Sequence, residues 1–370
     1  MNLALVALLA LTQLLQFILL PAVLLPRDAA WGALLLPLAP LSLTLWALIH
    51  ECVHGSLGAS ARTTQRIGRG LSVLFGAPYR VLRLGHLLHH KHNRQPGEAT
   101  EVYDDRHGGA CSRGLRGWLH AAPRYYAQVL GGLYLLEAAA GWLAWLPRRV
   151  LRRWAQRAAA PYASDTATAG PPDAPEMPQA ATARSPAWAT TPLQAPSTPR
   201  ARLLDSLTMP EALRELRLDG AVIAALWAAS AGLYGRHAWM LAAALAARAL
   251  LVSLHDNVYH YGTALAPAPG SASQAPASRT LRLPRWMSAT LLHFNYHDTH
   301  HRHPRLGWRE LPRAWAAEQA RRDALAAAEH TTGAASAARR YPPDTAWAVA
   351  LLAQLRGPLP ASRLMRLPPT

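Results

Sequence analysis

Residues 292–304 read Leu-His-Phe-Asn-Tyr-His-Asp-Thr-His-His-Arg-His-Pro and place five histidines within thirteen positions. The centre of this stretch is His297-x-x-His300-His301, and the same spacing occurs earlier as His86-x-x-His89-His90. A shorter relative, His50-x-x-x-His54, precedes both. Because residues three and four positions apart share one face of a helix, each cluster can direct two or three imidazoles to one point. The repeated spacing therefore predicts metal binding, with ligands for more than one ion.

A fourth cluster contains His255 and His260, and the four clusters together hold 13 of the 17 histidines. A single histidine is most often a hydrogen-bonded core or surface residue, but chance explains the repeated pattern poorly. Imidazole binds iron, zinc and copper, and the near absence of thiols from the clusters argues against a structural zinc site. The pattern therefore favours a reactive metal centre.

Two apolar runs at the start of the chain predict a membrane hairpin. Residues 2–26 and 31–49 carry no charged side chain, and each is near the roughly 20 residues that span a bilayer. Only Arg27 and Asp28 are charged between them. A cleaved signal peptide is the alternative for the first run. It is disfavoured because the run has no basic N-terminal part, is too long, and is followed at once by a second apolar run.

A second hairpin is predicted for the apolar runs 220–235 and 238–254. Arg248 inside it is costly in lipid, so we expect it to face the protein interior or to extend to the membrane surface. The run 127–146 is interrupted by glycines, and a crossing there would separate His255 from His50 by the membrane. We therefore expect a re-entrant or interfacial helix at 127–146, and an interfacial position for the short apolar patch 71–82.

The formal charge of +17 does not require a nucleic-acid partner, because most arginines flank apolar runs. The positive-inside rule explains that distribution and places the histidine clusters on the cytoplasmic face. Cys52 and Cys111 are too few for a disulfide framework, so we interpret them as reduced thiols.

The predicted fold class is an all-α integral membrane protein, with two transmembrane hairpins, about four spans, and a cytoplasmic helical cap that carries the histidine clusters. Residues 1–157 hold the first hairpin, the first two histidine boxes and an interfacial helix, and 201–312 hold the second hairpin and the third box. Residues 158–200, rich in Pro, Ala and Thr, form a predicted disordered insertion between them, and 264–280 resemble a shorter one. Residues 313–370 are a predicted polar tail.

The segments His50-Glu51-Cys52-Val53-His54, His86-Leu87-Leu88-His89-His90 and His297-Asp298-Thr299-His300-His301 resemble the three histidine boxes of the membrane fatty-acid desaturase and hydroxylase superfamily. The resemblance covers residues 1 to about 312. It implies two non-haem iron ions that activate dioxygen, O2 as co-substrate, and a lipid or acyl-chain substrate dissolved in the membrane. It also implies an integral membrane protein, which in a bacterium would lie in the inner membrane.

The same resemblance assigns individual residues. Its implied iron ligands are His50, His54, His86, His89, His90, His260, His297, His300 and His301. Asp256 or Asn257 would contact a metal directly or through water, and His255 is a weaker candidate. His92, His293 and His303 flank the boxes outside the pattern and would support the ligands or face phosphate. Because the chain has no His-Pro-Gly-Gly segment of a fused cytochrome b5, electrons would come from a separate ferredoxin, rubredoxin or cytochrome b5 type of donor.

Several alternative functions remain open at this point. Asp256-Asn257-x-x-His260 and the ending His-His-Arg-His-Pro look most like the desaturase branch, but lipid hydroxylases, alkane hydroxylases and carotenoid ketolases share similar boxes. His50-Glu51-x-x-His54 also matches the zinc-protease motif, with Leu218-Asp219-Gly220 as a possible aspartate motif. An intramembrane zinc metalloprotease would leave the other two boxes without a role. A metal carrier without activity is a third alternative.

Overall fold

The computed structural model describes residues 2–95, 98–105, 113–159, 199–265, 278–332 and 345–365, and these are mostly helical. The helices are α1 (Asn2–Leu14), α2 (Leu35–Leu38), α3 (Leu41–His54), α4 (Ala61–Phe75), α5 (Tyr79–His92), α6 (Gly114–Ala127), α7 (Leu133–Leu143), α8 (Arg148–Ala159), α9 (Pro199–Leu207), α10 (Pro210–Tyr234), α11 (Ala238–Val258), α12 (Arg285–Thr290), α13 (His297–Arg302), α14 (Leu311–Thr332), α15 (Trp347–Gln354) and α16 (Ala361–Met365). Short strands β1 (Val102–Tyr103) and β4 (Leu359–Pro360) pair in parallel, as do β2 (Leu281–Arg282) and β3 (Thr345–Ala346).

The first predicted hairpin, residues 2–49, reverses direction between its two apolar runs. Helix α1 continues as a π-helical segment, Leu15–Leu24, which contains Pro21. Proline has no amide hydrogen and disturbs the regular helical ladder, which accounts for the wider turns. Asp28 caps the following 3-10 helix, Ala29–Leu34, by accepting from the Ala30 amide at 2.9 Å. The Asn2 side chain donates to the Leu57 carbonyl at 2.7 Å, so the start of α1 lies beside the end of α3.

The second predicted hairpin, residues 220–254, also reverses direction. Helices α10 and α11 meet at the 3-10 segment Gly235–His237, where Gly235 has a φ of 52°. The first turns of α10 and the residues that follow the last turn of α11 both lie beside α5. Glu215 of α10 pairs with Arg80 of α5 at 2.9 Å, and His260, just after α11, contacts His89 of α5. The two helices therefore form a hairpin.

Two of the described helical stretches, Asn2–Leu24 and Pro210–Val258, are long and apolar enough to cross a membrane, the second comprising both α10 and α11. The bent pair Ala29–Leu38 and Leu41–His54, which meet at 44°, would be one further span. These stretches coincide with the apolar runs of the sequence. The number of crossings and the membrane face of the histidines remain predictions.

A break interrupts the stretch that the sequence predicts to be re-entrant or interfacial. Between α6 and α7, Leu130 and Gly131 leave helical geometry inside the π-helical segment Gln128–Gly132. Gly131 has a φ of 121°, which side chains with a Cβ rarely adopt. A Cβ there would lie 3.4 Å from that of Ala249, so this break packs closely against α11.

Helices α7 and α10 make a similarly close approach through two glycines. A Cβ on Gly141 would lie 2.7 Å from the Gly220 Cα, and a Cβ on Gly220 would meet the Gly141 backbone at the same distance. Neither backbone can move aside easily. Glycine at both positions therefore allows the second hairpin to pack against α7 and to present its end to α5.

Arg248 of α11 lies in the interior of the helical bundle and is 1% exposed. Its guanidinium donates to the Phe75 carbonyl at 2.8 Å, to Gln13 Oε1 at 2.5 Å and to Ser42 Oγ at 3.2 Å. Arg248 thus faces the protein interior, one of the two predicted outcomes. It joins α11 to α1, α3 and α4 through neutral acceptors.

The last described residues, 345–365, pack back onto this bundle. Strands β3 and β4 pair with β2 and β1, and α15 lies against α11. Ala350 and Gln354 of α15 are buried.

Several predictions fall on other parts of the chain. Most of the predicted insertion 158–200, most of 264–280, and Cys111 lie outside the described residues. Cys52 is described, and its thiol is free and buried.

Candidate metal centre

The histidines of the boxes lie at helix ends that converge on one region. Helix α3 ends at Gly55, whose φ of 74° terminates the helix immediately after His54. The second box occupies the last turns of α5, and the third forms the six-residue α13. His260 lies in the turn after α11, where its amide donates to the Asn257 carbonyl at 3.1 Å.

All nine histidines that the sequence singles out as ligands come together in two groups. In each group one ring nitrogen per histidine lies within 4.8 Å of all the others. The five-histidine group comprises His50, His54, His86, His90 and His300. The four-histidine group comprises His89, His260, His297 and His301.

The repeated His-x-x-His-His spacing explains why there are two groups rather than one. In α5, His86 and His90 enter the five-histidine group, whereas His89 enters the other. In α13, His297 and His301 enter the four-histidine group, whereas His300 enters the other. Residues i and i+4 lie nearly above one another on a helix and i+3 is offset to the side. The second and third boxes therefore each contribute to both groups.

In seven of the nine histidines the nitrogen that approaches another ring of its group is Nε2. The Nε2–Nε2 distances are 2.9 Å for His86–His90, 3.1 Å for His90–His300, 2.9 Å for His260–His297, 3.1 Å for His89–His260 and 3.1 Å for His297–His301. Two imidazoles that bind one zinc-sized ion at about 2.1 Å have nitrogens about 3.0 Å apart when their bonds meet at a right angle. The spacing within each group therefore fits ligands of a shared ion.

Two members of the five-histidine group have ring nitrogens that the protein does not satisfy. The Nε2 atoms of His50 and His54 are buried and have no hydrogen-bond partner. A buried polar atom without a partner is costly, and native structures rarely keep one without a reason. A metal ion at the centre of the group would satisfy both atoms.

Burial sets the ionisation of these imidazoles. It lowers the pKa of His90 to about 2, and burial together with neighbouring histidines lowers the pKa of His86 and His300 well below the ordinary value. The pKa values of His297 and His301 are lowered for the same reasons. Neutral imidazole is the form that binds metal ions, so these groups are ready ligands near neutral pH.

Glu98 and Arg94 support the four-histidine group. The Glu98 carboxylate bonds to His89 Nδ1 and accepts from the Arg94 amide at 3.0 Å. Burial disfavours the charged forms of both Glu98 and His89. The attraction and the hydrogen bond between these two side chains outweigh burial, so the pKa of His89 is raised and that of Glu98 is lowered. A carboxylate on Nδ1 fixes the ring and directs Nε2 to the other members of the group.

Asp256 and Asn257 lie beside the groups rather than within them. Asp256 is outside both histidine groups and lines a cavity together with His89 and His260. The Asn257 amide nitrogen donates to Gln354 Oε1 at 2.7 Å and to the Tyr125 hydroxyl at 3.3 Å. Metal contact by either residue stays a prediction.

The flanking histidines make other contacts and lie outside both groups. His92 Nδ1 is 2.8 Å from Gln95 Oε1, His255 Nε2 is 3.4 Å from the Tyr259 hydroxyl, His293 Nδ1 is 2.8 Å from Ser288 Oγ and His303 Nε2 is 3.0 Å from Glu318 Oε1.

The acidic residues of the protease alternative are engaged elsewhere. Glu51 Oε2 accepts from Ser56 Oγ at 2.9 Å and from the Trp308 amide at 3.2 Å. Asp219 pairs with Arg69 at 2.7 Å. Neither carboxylate belongs to the histidine groups formed by the described residues. The geometry therefore gives no support to a glutamate base beside a zinc ion.

A cavity of about 220 Å³ lies against the histidines. His86, His89 and His260 form part of its wall, and Trp46, Val129 and Leu133 contribute apolar surface. The break between α6 and α7 therefore supplies one side of the cavity and the histidine groups supply another.

A family model for fatty acid desaturase matches residues 29–170 and 165–332. The chain belongs to the fatty acid desaturase family. This membership confirms the resemblance drawn from the three boxes, and it makes the chain an oxidoreductase that acts in a membrane and lipid context. Comparisons with curated proteins and with solved structures give no significant match.

Three residues that contact the histidines or their neighbouring residues have no signature in the sequence. Glu98 and Arg94 follow the second box without any regular spacing, and Gln354 lies far from every box. A carboxylate close in sequence to a histidine cluster is a candidate partner for an imidazole. Only the fold shows which of the nearby carboxylates contacts a candidate ligand.

Proposed function

We propose that the chain is an oxygen-dependent fatty-acid desaturase, acting on acyl lipids or acyl thioesters with a histidine-bound di-iron centre. The observation that carries the proposal is the convergence of nine imidazole nitrogens into two adjacent groups within a chain of this family. One group would hold each iron ion.

Iron supplies the oxidising power that the reaction needs, because no acid or base in a protein can take a proton from an unactivated methylene. In the overall reaction two hydrogen atoms leave adjacent carbons of the chain and a double bond forms. Dioxygen is reduced to two water molecules with two electrons from a separate donor and two protons.

The chain's own residues hold and surround the metals. Nine neutral imidazoles bring no negative charge, so the nearby carboxylates of Glu98 and Asp256 would balance part of the metals' charge. The cavity beside His89 and His260 would hold the reacting part of the acyl chain, with Trp46, Val129 and Leu133 excluding water from it.

The membrane arrangement that supports this function has two hairpins, residues 2–49 and 220–254, with the histidines at the cytoplasmic surface. Such a site could receive an acyl chain from the bilayer and electrons from a soluble or membrane-bound donor. Lipid hydroxylase or ketolase activity is the alternative within the same superfamily.

Product analysis tests the proposal. Detergent-purified protein would be loaded with ferrous iron and given a reduced ferredoxin, dioxygen and isotopically labelled acyl lipids, and the products would be examined by mass spectrometry. We expect a product that has lost two hydrogen atoms and that fails to form with His90→Ala or His300→Ala. Gain of an oxygen atom would instead indicate a hydroxylase. Stoichiometric zinc, with activity surviving both substitutions, would overturn the proposal.

A further inference from the structure

We infer that residues 345–365, here termed the C-terminal segment, hold the four-histidine group in position, and that Gln354 is the positioning residue at its centre. The inference rests on the proposed function, since it requires two metal ions. The segment lies beyond residues 29–332, the part of the chain that the family model matches.

The first anchor is Gln354, the last residue of α15, which is 0% exposed. Its Oε1 accepts from Asn257 Nδ2 at 2.7 Å, and its Nε2 donates to the Leu254 carbonyl at 3.1 Å. The Asn257 carbonyl in turn accepts from the amide of His260 at 3.1 Å. Gln354 therefore fixes the turn that carries His260.

The second anchor joins β4 to the loop after the second box. The Leu359 amide donates to the Glu101 carbonyl at 2.7 Å. The Glu101 side chain forms a buried pair with Arg94 at 2.6 Å, and the Arg94 amide donates to Glu98 at 3.0 Å. Since Glu98 bonds to the ring of His89, this chain of contacts connects the C-terminal segment to a second ligand.

The third anchor lies beside the third box. Strand β3 pairs with β2, with Thr345 opposite Leu281. The Leu281 amide donates to the Asn295 carbonyl at 2.9 Å, and Asn295 Nδ2 donates to the Leu281 carbonyl at 3.0 Å. Asn295 precedes His297 by two residues. The segment is thus connected to all three stretches that supply the four-histidine group, directly at Asn257 and through intermediate residues at the other two.

The stretches that carry the histidines differ in the group to which they contribute. Helices α5 and α13 each contribute to both groups, whereas α3 contributes to the five-histidine group alone and the turn at His260 to the four-histidine group alone. Loss of the Gln354 side chain releases the turn at His260 and leaves α3 untouched. It should therefore weaken one metal site and spare the other.

Metal counting in the full-length protein tests this. The variant Gln354→Leu keeps the bulk of the side chain but removes both hydrogen bonds. Gln354→Glu keeps the acceptor for Asn257. Tyr234→Phe is the matched control, because it removes one buried hydrogen bond, from the Tyr234 hydroxyl to the Gln16 carbonyl, at the far end of α10. Iron per chain and Mössbauer spectra would be measured on each protein after loading, with circular dichroism to compare helix content.

We expect about two iron ions per chain in the wild type, in Tyr234→Phe and in Gln354→Glu, and about one in Gln354→Leu with unchanged helix content. Two irons in Gln354→Leu, or equal loss in both Gln354 variants, would overturn the inference while leaving the proposed function intact. If Gln354→Leu did not fold, Gln354→Asn, whose shorter side chain withdraws from Asn257, would be expected to give the same single iron. Failure of both to fold would show that the segment serves the whole fold, which also contradicts the inference. A wild type without two irons would instead contradict the proposed function.

Discussion

The Nε2 atoms of His260 and His297 lie 2.9 Å apart, although the two residues are 37 positions apart in the chain. Neutral imidazole has one N–H donor and one acceptor nitrogen, so two facing rings can share a single proton. His297 Nε2 also lies 3.1 Å from His301 Nε2, and His260 Nε2 lies 3.1 Å from His89 Nε2. When four Nε2 atoms face one another, protons shared between pairs of rings leave some of these nitrogens without a hydrogen-bond partner of the right kind. A cation bound at their centre can satisfy all four.

Replacing one member of this pair should empty one site. In His260→Ala we expect about one iron ion per chain instead of two, because the four-histidine group loses a ligand that no neighbour replaces. His293→Ala is the control, since His293 belongs to the third cluster of the sequence but contacts Ser288 rather than either group. Metal analysis of the purified proteins is the measurement. Equal iron loss in the two variants would contradict the assignment.

The Glu98 carboxylate should contribute to metal affinity without contacting the metal. Glu98→Gln weakens the orientation of His89, and removing such a supporting carboxylate typically lowers metal affinity about 10–100-fold. Glu215→Gln is the control, because Glu215 also pairs with a side chain of α5, that of Arg80, away from the histidines. Chelator competition would measure both affinities. An affinity unchanged by Glu98→Gln would rule out this role.

Arg248 should stabilise the helical bundle. In Arg248→Met, the side-chain oxygens of Gln13 and Gln16 lose their donor, whereas the Phe75 carbonyl keeps the Tyr134 hydroxyl. Each buried group left unpaired costs about 1–3 kcal/mol. Arg236→Met changes an exposed arginine in the turn between α10 and α11 and should have little effect. Thermal unfolding in detergent would compare them. Similar melting temperatures for the two variants would show that the buried network does not stabilise the protein.

Close packing of α7 against α10 should be sensitive to one methyl group. Gly220→Ala places a Cβ 2.7 Å from the Gly141 backbone, and overpacking of this kind costs about 1–3 kcal/mol. Gly232→Ala, in the same helix, meets open space and should be neutral or slightly stabilising. Thermal unfolding again provides the measurement, and a Gly220→Ala protein as stable as the Gly232→Ala protein would be inconsistent with the observed approach.

The two-hairpin topology predicts which positions react with a membrane-impermeant thiol reagent. In a background that lacks Cys52 and Cys111, Ala61→Cys should be labelled from the cytoplasmic side. Ala29→Cys and Arg236→Cys lie at exposed turns of the two hairpins and should be labelled from the opposite side. Labelling of all three positions from one side would exclude the topology. A shared metal centre for all boxes would then need a different membrane arrangement.

The histidine set could be read from the sequence because helical geometry is local. Spacings of three and four residues place imidazoles on one face of a helix wherever that helix lies, so the eight histidines of the three boxes were predictable as candidate ligands. His260 was a candidate only through the resemblance to the family. The division of these histidines between the two groups was not predictable. Whether His89 joins His86 or His260 depends on how α5, α11 and α13 pack, and contacts between distant segments set that packing.

The supporting contacts were harder to predict for the same reason. Residues 346–355 look like a short apolar run within a polar tail, and nothing in their pattern points to Asn257. The position of Gln354 follows from strands of two residues each, too short for alternation of side chains to be visible in the sequence. Arg248 was the exception, because a charge inside an apolar run is conspicuous wherever it lies.

The two histidine groups differ in when a growing chain can assemble them. Four members of the five-histidine group lie within residues 50–90, on α3 and α5, and only the fifth, His300, comes from the later part of the chain. The four-histidine group draws His260, His297 and His301 from the later part of the chain, so closing it requires a loop of well over a hundred residues after His89. During synthesis, the first site can gather most of its ligands before the second hairpin exists. The four-histidine group, in contrast, has only His89 until the second hairpin has been made, and the third box then completes both groups.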